Sequence, residues 1–187
     1  LATAAHRPPS PAPKHSASPR QPLWGLLAKR AAHLAGPLTP RLSKDDAVMI
    51  KENDLASMHE ELDTHAERLV TYLQNVDSND VGAFLEVETR TDKEALMAAM
   101  VWSQRRAQEG LDRLVIMLDN FSPEACKAVS EQMEEQGLRE HVVLEASGGI
   151  VFEDLKSWHE CGLDVVSTSV VNRGVQPLDV SMLVKGL

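Results

Sequence analysis

Aromatic residues make up only 4% of the 187-residue chain. Stacking platforms for nucleic-acid bases are therefore scarce. There are two cysteines, Cys126 and Cys161, and neither has a close-spaced thiol partner. That excludes a CxxC site and a disulfide framework; both are expected as buried thiols in a reducing interior. No apolar run reaches the ~18 residues that a membrane span needs. His59 and His65 are six residues apart, on different helix faces, so no metal-binding His pair is formed. A Walker loop, a GxSxG elbow and a dinucleotide fingerprint are also missing.

Acidic charge is missing from one end. The first 44 residues hold seven Lys or Arg and no Asp or Glu. All 28 acids lie in 45–187, against 12 Lys and Arg, a balance of −16. An acidic body lacks the basic footprint that nucleic-acid binding requires. Neither nucleic acid nor membrane is expected as a partner. Residues 1–23 carry six of the ten prolines, many Ala and Ser, and no hydrophobic period. They are expected to be disordered. Their Arg and Ser without acids resemble a transit peptide, so organelle targeting stands beside the simpler expectation of a cytoplasmic protein.

From Asp45 onward a regular alternation begins. Strands are expected at 47–51, 83–88, 113–118, 141–145 and 163–168, with a weaker one at 178–184. Between them lie helical patterns at 55–76, 91–108 and 122–137. Ser122-Pro123-Glu124 combines a capping residue, Pro at the first helical position and an acid in the first turn. Alternating strands and helices imply βαβ units and a parallel sheet. The strands read as nearly continuous apolar runs, as when both faces are covered. There are fewer units than a closed barrel of eight strands needs. The expected fold is α/β: an incomplete parallel (β/α) barrel over 24–187, preceded by the disordered segment 1–23.

The strand ends are polar. They read Lys51, Glu88, Asp119-Asn120, Glu145 followed by Ser147-Gly148-Gly149, and Ser167-Thr168-Ser169. In a parallel barrel such ends converge on one face, where active sites are built. A single charged residue after a strand is usually a solvated loop entry; five in register are harder to assign to chance. Glu88 and Asp119 suit a hard cation such as Mg²⁺ bridging phosphate oxygens. Ser147-Gly148-Gly149 precedes a helix expected near 151. Glycines let backbone N–H groups approach an anion, and a helix N-terminus favours negative charge. Lys51 is placed either to bind a carboxylate or phosphate or to form a structural salt bridge with Glu88. A barrel aldolase with Lys51 as a Schiff-base amine is a further reading. It needs a neutral lysine beside Glu52 and Asp54, and it leaves the glycine turn unexplained.

"AVMIKEND", "LEVETRT", "VIMLDNFSPE", "LEASGGI" and "DVVSTS", in this order and spacing, closely resemble the quinolinate phosphoribosyltransferase family, also called carboxylating nicotinate-nucleotide pyrophosphorylase. The resemblance covers residues 24–187, most strongly from Asp45, and corresponds to most of the family's C-terminal barrel. It implies transfer of a phosphoribosyl group from phosphoribosyl pyrophosphate to quinolinate, with loss of CO₂ and pyrophosphate. The product is nicotinate mononucleotide, in NAD biosynthesis. It also implies roles. Lys51, Glu88 and Asp119 match the catalytic group, the two acids lying near ribose, Mg²⁺ and pyrophosphate. Arg41 matches an arginine that contacts quinolinate. Ser147, Gly148, Gly149, Thr168 and Ser169 match the 5′-phosphate cradle.

Departures cluster upstream. The family's Thr-Arg-Lys-Thr run falls near "SPRQP", placing its arginine on Pro19 and its lysine on Arg20. A family glycine triplet falls on Ala35-Gly36-Pro37, and a histidine on Pro40. Asp54 stands where many members carry His, and Asn172-Arg173-Gly174 where Thr-His-Ser is usual. These changes leave open a non-catalytic module that binds a phosphoribosyl ligand or mediates oligomerisation. An opened barrel exposes a strand edge, which predicts a homo-oligomer, a dimer or higher.

Overall fold

The computed structural model describes residues 12–15, 25–34, 46–58 and 62–170. Its strands are β1 (Ala12–His15), β2 (Val48–Ile50), β3 (Leu85–Thr89), β4 (Leu114–Asp119), β5 (Val142–Ser147) and β6 (Val165–Thr168). Its α-helices are α1 (Gly25–Leu34), α2 (Glu52–Met58), α3 (His65–Asn75), α4 (Asp92–Glu109) and α5 (Pro123–Glu135). Five expected strands are therefore present within a few residues. The weaker one at 178–184 lies outside the described residues.

All strand pairs are parallel, in the order β1-β6-β5-β4-β3-β2. Neighbours follow chain order from β2 to β6, and β1 then lies beside β6. A doubly wound sheet reverses direction at a switch point; this one does not. Successive helices also touch one another, α2 with α3, α3 with α4 and α4 with α5. That is the strand order and helix layer of a (β/α) barrel. No ladder joins β1 to β2 among the described residues, so the ring is open there.

Within 1–23, the four described residues Ala12–His15 form a strand that was not expected, paired with Val165–Thr168. The stretch has no apolar period to announce it. Pro13 is tolerated because β1 is an edge strand, where a missing N–H costs least.

Each strand alternates. Leu85, Val87, Leu114, Ile116, Leu118, Val142, Leu144, Ala146 and Val166 join one core with Leu55, Leu69, Leu73, Ala98, Trp102, Val129 and Met133 from the helices. The opposite face carries Glu86, Glu88, Met117 and Glu145, all buried. Both faces are covered, as expected, but only the helix-facing side is wholly apolar; the other side adds buried carboxylates.

The expected helix at 55–76 divides into α2 and α3. Thr64 caps the second: its Oγ1 accepts from Glu67 N at 3.2 Å while Glu67 Oε2 accepts from Thr64 N at 3.1 Å. This reciprocal capping box starts a new helix at His65. α5 begins as its sequence requires, with Ser122 Oγ accepting from Ala125 N at 3.2 Å and Pro123 at the first position. The segment after Gly149 is a 3-10 helix, Phe152–Trp158, rather than the expected α-helix. Val151 precedes it and has no side-chain acceptor to cap the first turn. Cys126 and Cys161 are both free and buried. Among the described residues no helix is long and apolar enough to cross a membrane.

Candidate functional site

The parallel register sets the site. Glu88, Met117, Glu145 and Val165 form one row across β3 to β6. Two residues further along β4 and β5, Asp119 and Ser147 face each other. Side chains two apart on a strand share a face, so Asp119 and Ser147 form the next layer toward the C-terminal rim. Ser167 Oγ donates to Glu145 Oε1 at 2.6 Å and ties β6 to β5 at this level.

Lys51 directly follows β2, and its ammonium donates to Glu88 Oε2. The lysine side chain is half exposed; the glutamate side chain is 8% exposed. The salt bridge left open by the sequence therefore forms. The first turn of α2 holds the lysine's backbone: Asp54 Oδ2 accepts from the Lys51 backbone N–H at 2.9 Å. Asp54, the residue that stands in place of the family's common histidine, serves here as a helix cap. Glu52, also in that turn, pairs with Arg90 Nη2 at 2.5 Å. Both basic groups at this rim are thus held by carboxylates.

Asp119 sits among these charges. Burial pushes its carboxyl above the ordinary aspartate value, and the negative charge of Glu88 adds to the rise; Lys51, Arg90 and a hydrogen bond from Asn120 pull the other way. Two acids that repel across a half-dry rim are poised to gain from an added cation. Among the described residues no three His, Cys, Asp or Glu side chains cluster closely enough to hold a metal ion by themselves.

The glycine turn follows β5. Gly148 has φ +105 and Gly149 φ +65, which favour glycine. A Cβ on Gly148 would lie 2.3 Å from Asn120 Oδ1, whereas nothing lies within 4 Å of one on Gly149. Thr168 Oγ1 donates to Ile150 O at 2.5 Å and accepts from Val170 N at 3.1 Å. It is a clasp holding the glycine turn to the end of β6. Ser169 follows directly.

Lys51, Glu88 and Asp119 therefore come together, with Ser147 beside Asp119 and Gly148 against Asn120. Thr168 reaches the turn through the Ile150 carbonyl. Arg41 lies outside the described residues, as do Pro19, Arg20, Pro37, Pro40 and 172–174. Sequence reasoning placed Asn120 and Ser167 at strand ends without assigning them a contact, and it missed Arg90 at this rim and the buried Glu86 below it. Arg90 lies two residues past Glu88 inside "LEVETRT", and that spacing was its available signal.

A family model described as "Quinolinate phosphoribosyl transferase, C-terminal domain" matches residues 18–183. A protein of Methanothermobacter thermautotrophicus named probable nicotinate-nucleotide pyrophosphorylase [carboxylating] is 30% identical over 161 residues, 85% of this chain and 51% of its own length. One of Dictyostelium discoideum, named nicotinate-nucleotide pyrophosphorylase [carboxylating], is 29% identical, covering 88% of this chain and 48% of that protein. The solved structure of the nicotinate-nucleotide pyrophosphorylase from Francisella tularensis superposes with a TM-score of 0.65 at 24% identity, covering 89% of this chain and 51% of that one. The likeness in structure bears on the fold. The chain spans about half the length of the curated relatives it matches.

Proposed function

The chain belongs to the quinolinate phosphoribosyl transferase family, and from that premise we propose that it carries the ribose-phosphate side of a phosphoribosyl-transfer site. The reaction served is transfer from phosphoribosyl pyrophosphate to quinolinate with decarboxylation, giving nicotinate mononucleotide, CO₂ and pyrophosphate. The observation that carries this reading is the convergence of Lys51, Glu88 and Asp119 beside the Ser147-Gly148-Gly149 turn at one rim of the sheet.

In this reading, positive charge develops at the anomeric carbon as pyrophosphate departs. The Glu88 and Asp119 carboxylates stabilise that charge. The same two carboxylates would hold Mg²⁺. The raised carboxyl of Asp119 fits such a cation, because it relieves repulsion from Glu88. A metal held there would supply positive charge against the leaving pyrophosphate. Lys51, half in solvent, exchanges Glu88 for an anionic group of the substrates. Gly149, with open space above its Cα, is the place where a backbone comes close to the 5′-phosphate, and Ser147, Gly148, Thr168 and Ser169 frame it. Arg41 contributes to quinolinate binding. A homo-oligomer, dimer or higher, completes the assembly. The free thiols of Cys126 and Cys161 suit a reducing compartment, and the cytoplasm is the proposed location.

Calorimetric titration with phosphoribosyl pyrophosphate and Mg²⁺, then with quinolinate, tests the reading. The expected result is binding of the first ligand that Glu88→Ala and Asp119→Ala each markedly weaken. A folded chain that binds neither ligand overturns it. Binding of the first without the second points to the non-catalytic reading, which the prolines at 19 and 40 favour.

A further inference from the structure

The acid at the end of β4 is held by its own neighbour. Asn120 Nδ2 donates to Asp119 Oδ2 at 2.7 Å. Adjacent residues rarely meet this way in an extended chain, because their side chains diverge. Here Asn120 has φ 61, a left-handed conformation that asparagine tolerates better than most residues. That turn folds the amide back over the preceding carboxylate. The Asn120 backbone is fixed in turn, since its N–H donates to Ser147 O at 2.8 Å.

The other half of the amide explains a glycine. A Cβ on Gly148 would meet Asn120 Oδ1 at 2.3 Å, Cγ at 2.8 Å and N at 2.9 Å. Backbone and side chain of Asn120 both fill the space. Gly148 therefore has a task separate from anion approach: it leaves room for the amide that holds Asp119. Gly149, clear of neighbours, has no such conflict.

We propose that Asn120 is a positioning residue for Asp119, and that Gly148 is glycine because Asn120 occupies the space its side chain would take. Glu88 repels Asp119, so without the amide the carboxylate would turn away from the rim. A charge-assisted hydrogen bond to one oxygen fixes the anion where a cation or a developing positive charge must meet it. The inference rests on the role proposed for Asp119, and two readouts separate their failures.

The first readout is affinity for phosphoribosyl pyrophosphate with Mg²⁺ in wild type, Asn120→Gly, Asp119→Ala and the double variant. Asn120→Gly keeps the left-handed backbone and deletes the amide. It is expected to weaken binding about ten-fold or more, and the double variant to bind no worse than Asp119→Ala alone. Wild-type affinity in Asn120→Gly, or losses that add, overturns the proposal. A merely structural role would lower the melting temperature without this non-additivity. The second readout needs no ligand. The Asn120 side-chain amide protons should exchange slowly in wild type and take free-amide shifts in Asp119→Ala. Unmoved resonances overturn the proposal. If they move while the folded wild type binds no ligand, the positioning geometry holds and the proposed function is what fails.

Discussion

Lys51 and Glu88 join β2 to β3 through an ion pair whose two ends differ in exposure: the ammonium is half in solvent and the carboxylate is nearly covered. The asymmetry decides which partner is costly to lose. Lys51→Ala strands a covered carboxylate beside Asp119, whereas Glu88→Gln leaves a lysine that water can solvate. Discounted for the exposed ammonium, Lys51→Ala should cost about 1 kcal/mol, and Glu88→Gln less. Adding Glu88→Gln to Lys51→Ala should recover most of the loss. Urea unfolding of the three variants checks this; equal losses in both single variants would contradict it.

Asp119 gives a pH signature. Its carboxyl is raised in the fold, chiefly by burial and then by Glu88. The native state therefore holds the proton more tightly than the unfolded chain, whose aspartate titrates at about 3.9. Stability from this group is full below that value and declines as pH rises through the window up to the folded carboxyl's value. Asp119→Asn should consequently raise the melting temperature at neutral pH. The difference between variant and wild type should shrink as pH falls below the ordinary aspartate range. A difference that stays constant over pH would contradict the shift. Greater stability together with lost ligand binding would mark a site that trades stability for charge placement.

The two glycines of the turn should respond differently. At Gly148 an alanine meets both a left-handed backbone and the Asn120 side chain. A loss of about 3 kcal/mol is expected. At Gly149 the backbone is left-handed but the space is open, so only the conformational cost of about 1 kcal/mol applies. Thermal melts of the two alanine variants test the contrast. Gly149→Ala should still weaken ligand binding if that backbone meets the phosphate.

Much of this site was legible in the sequence because parallel strands place their C-terminal residues on one rim. Lys51, Glu88, Asp119 and Ser147 follow from strand ends alone. Asn120 was not legible in its role, because that depends on a left-handed turn and a loop from another strand. Glu86 was hidden for a different reason: an acid alternating with apolar residues in "LEVET" looks like a solvated position, yet the sheet buries it completely. β1 was missed because "APKH" has no apolar alternation; its strand conformation comes from pairing with β6. The helix expected near 151 is of the 3-10 type, and Val151 at its start offers no side-chain cap.

Cys126 connects burial to reactivity. Burial pushes its thiol up to about 12, with smaller contributions from Cys161 and Glu124, and burial raises Cys161 as well. The thiolate is the nucleophile, so at mildly alkaline pH almost none is present at Cys126 in the fold. Iodoacetamide should therefore label native protein slowly and urea-unfolded protein rapidly at both positions. Mass spectrometry of the labelled peptides reads the rates. Rapid native labelling of Cys126 would place it outside the core formed by α5.

The rim also needs a firm base, and Arg139 supplies it on the entry side of β5. Its guanidinium donates to Val142 O at 3.1 Å, Gly162 O at 2.9 Å and Asp164 Oδ2 at 2.6 Å. Asp164 Oδ2 in turn accepts from Leu144 N at 2.8 Å. This network fixes where β5 starts and where the chain enters β6. Both charged side chains are mostly covered, so removing one leaves the other without its counter-charge. Arg139→Ala should cost about 3 kcal/mol. The register of β5 against β6 depends on that anchor, so the damage should travel along the strands. Hydrogen exchange at Ala146 and Val166 should accelerate in Arg139→Ala, while amides in α4 stay protected. Faster exchange throughout would mean global unfolding, and the claim that this pair sets the β5–β6 register would then fail.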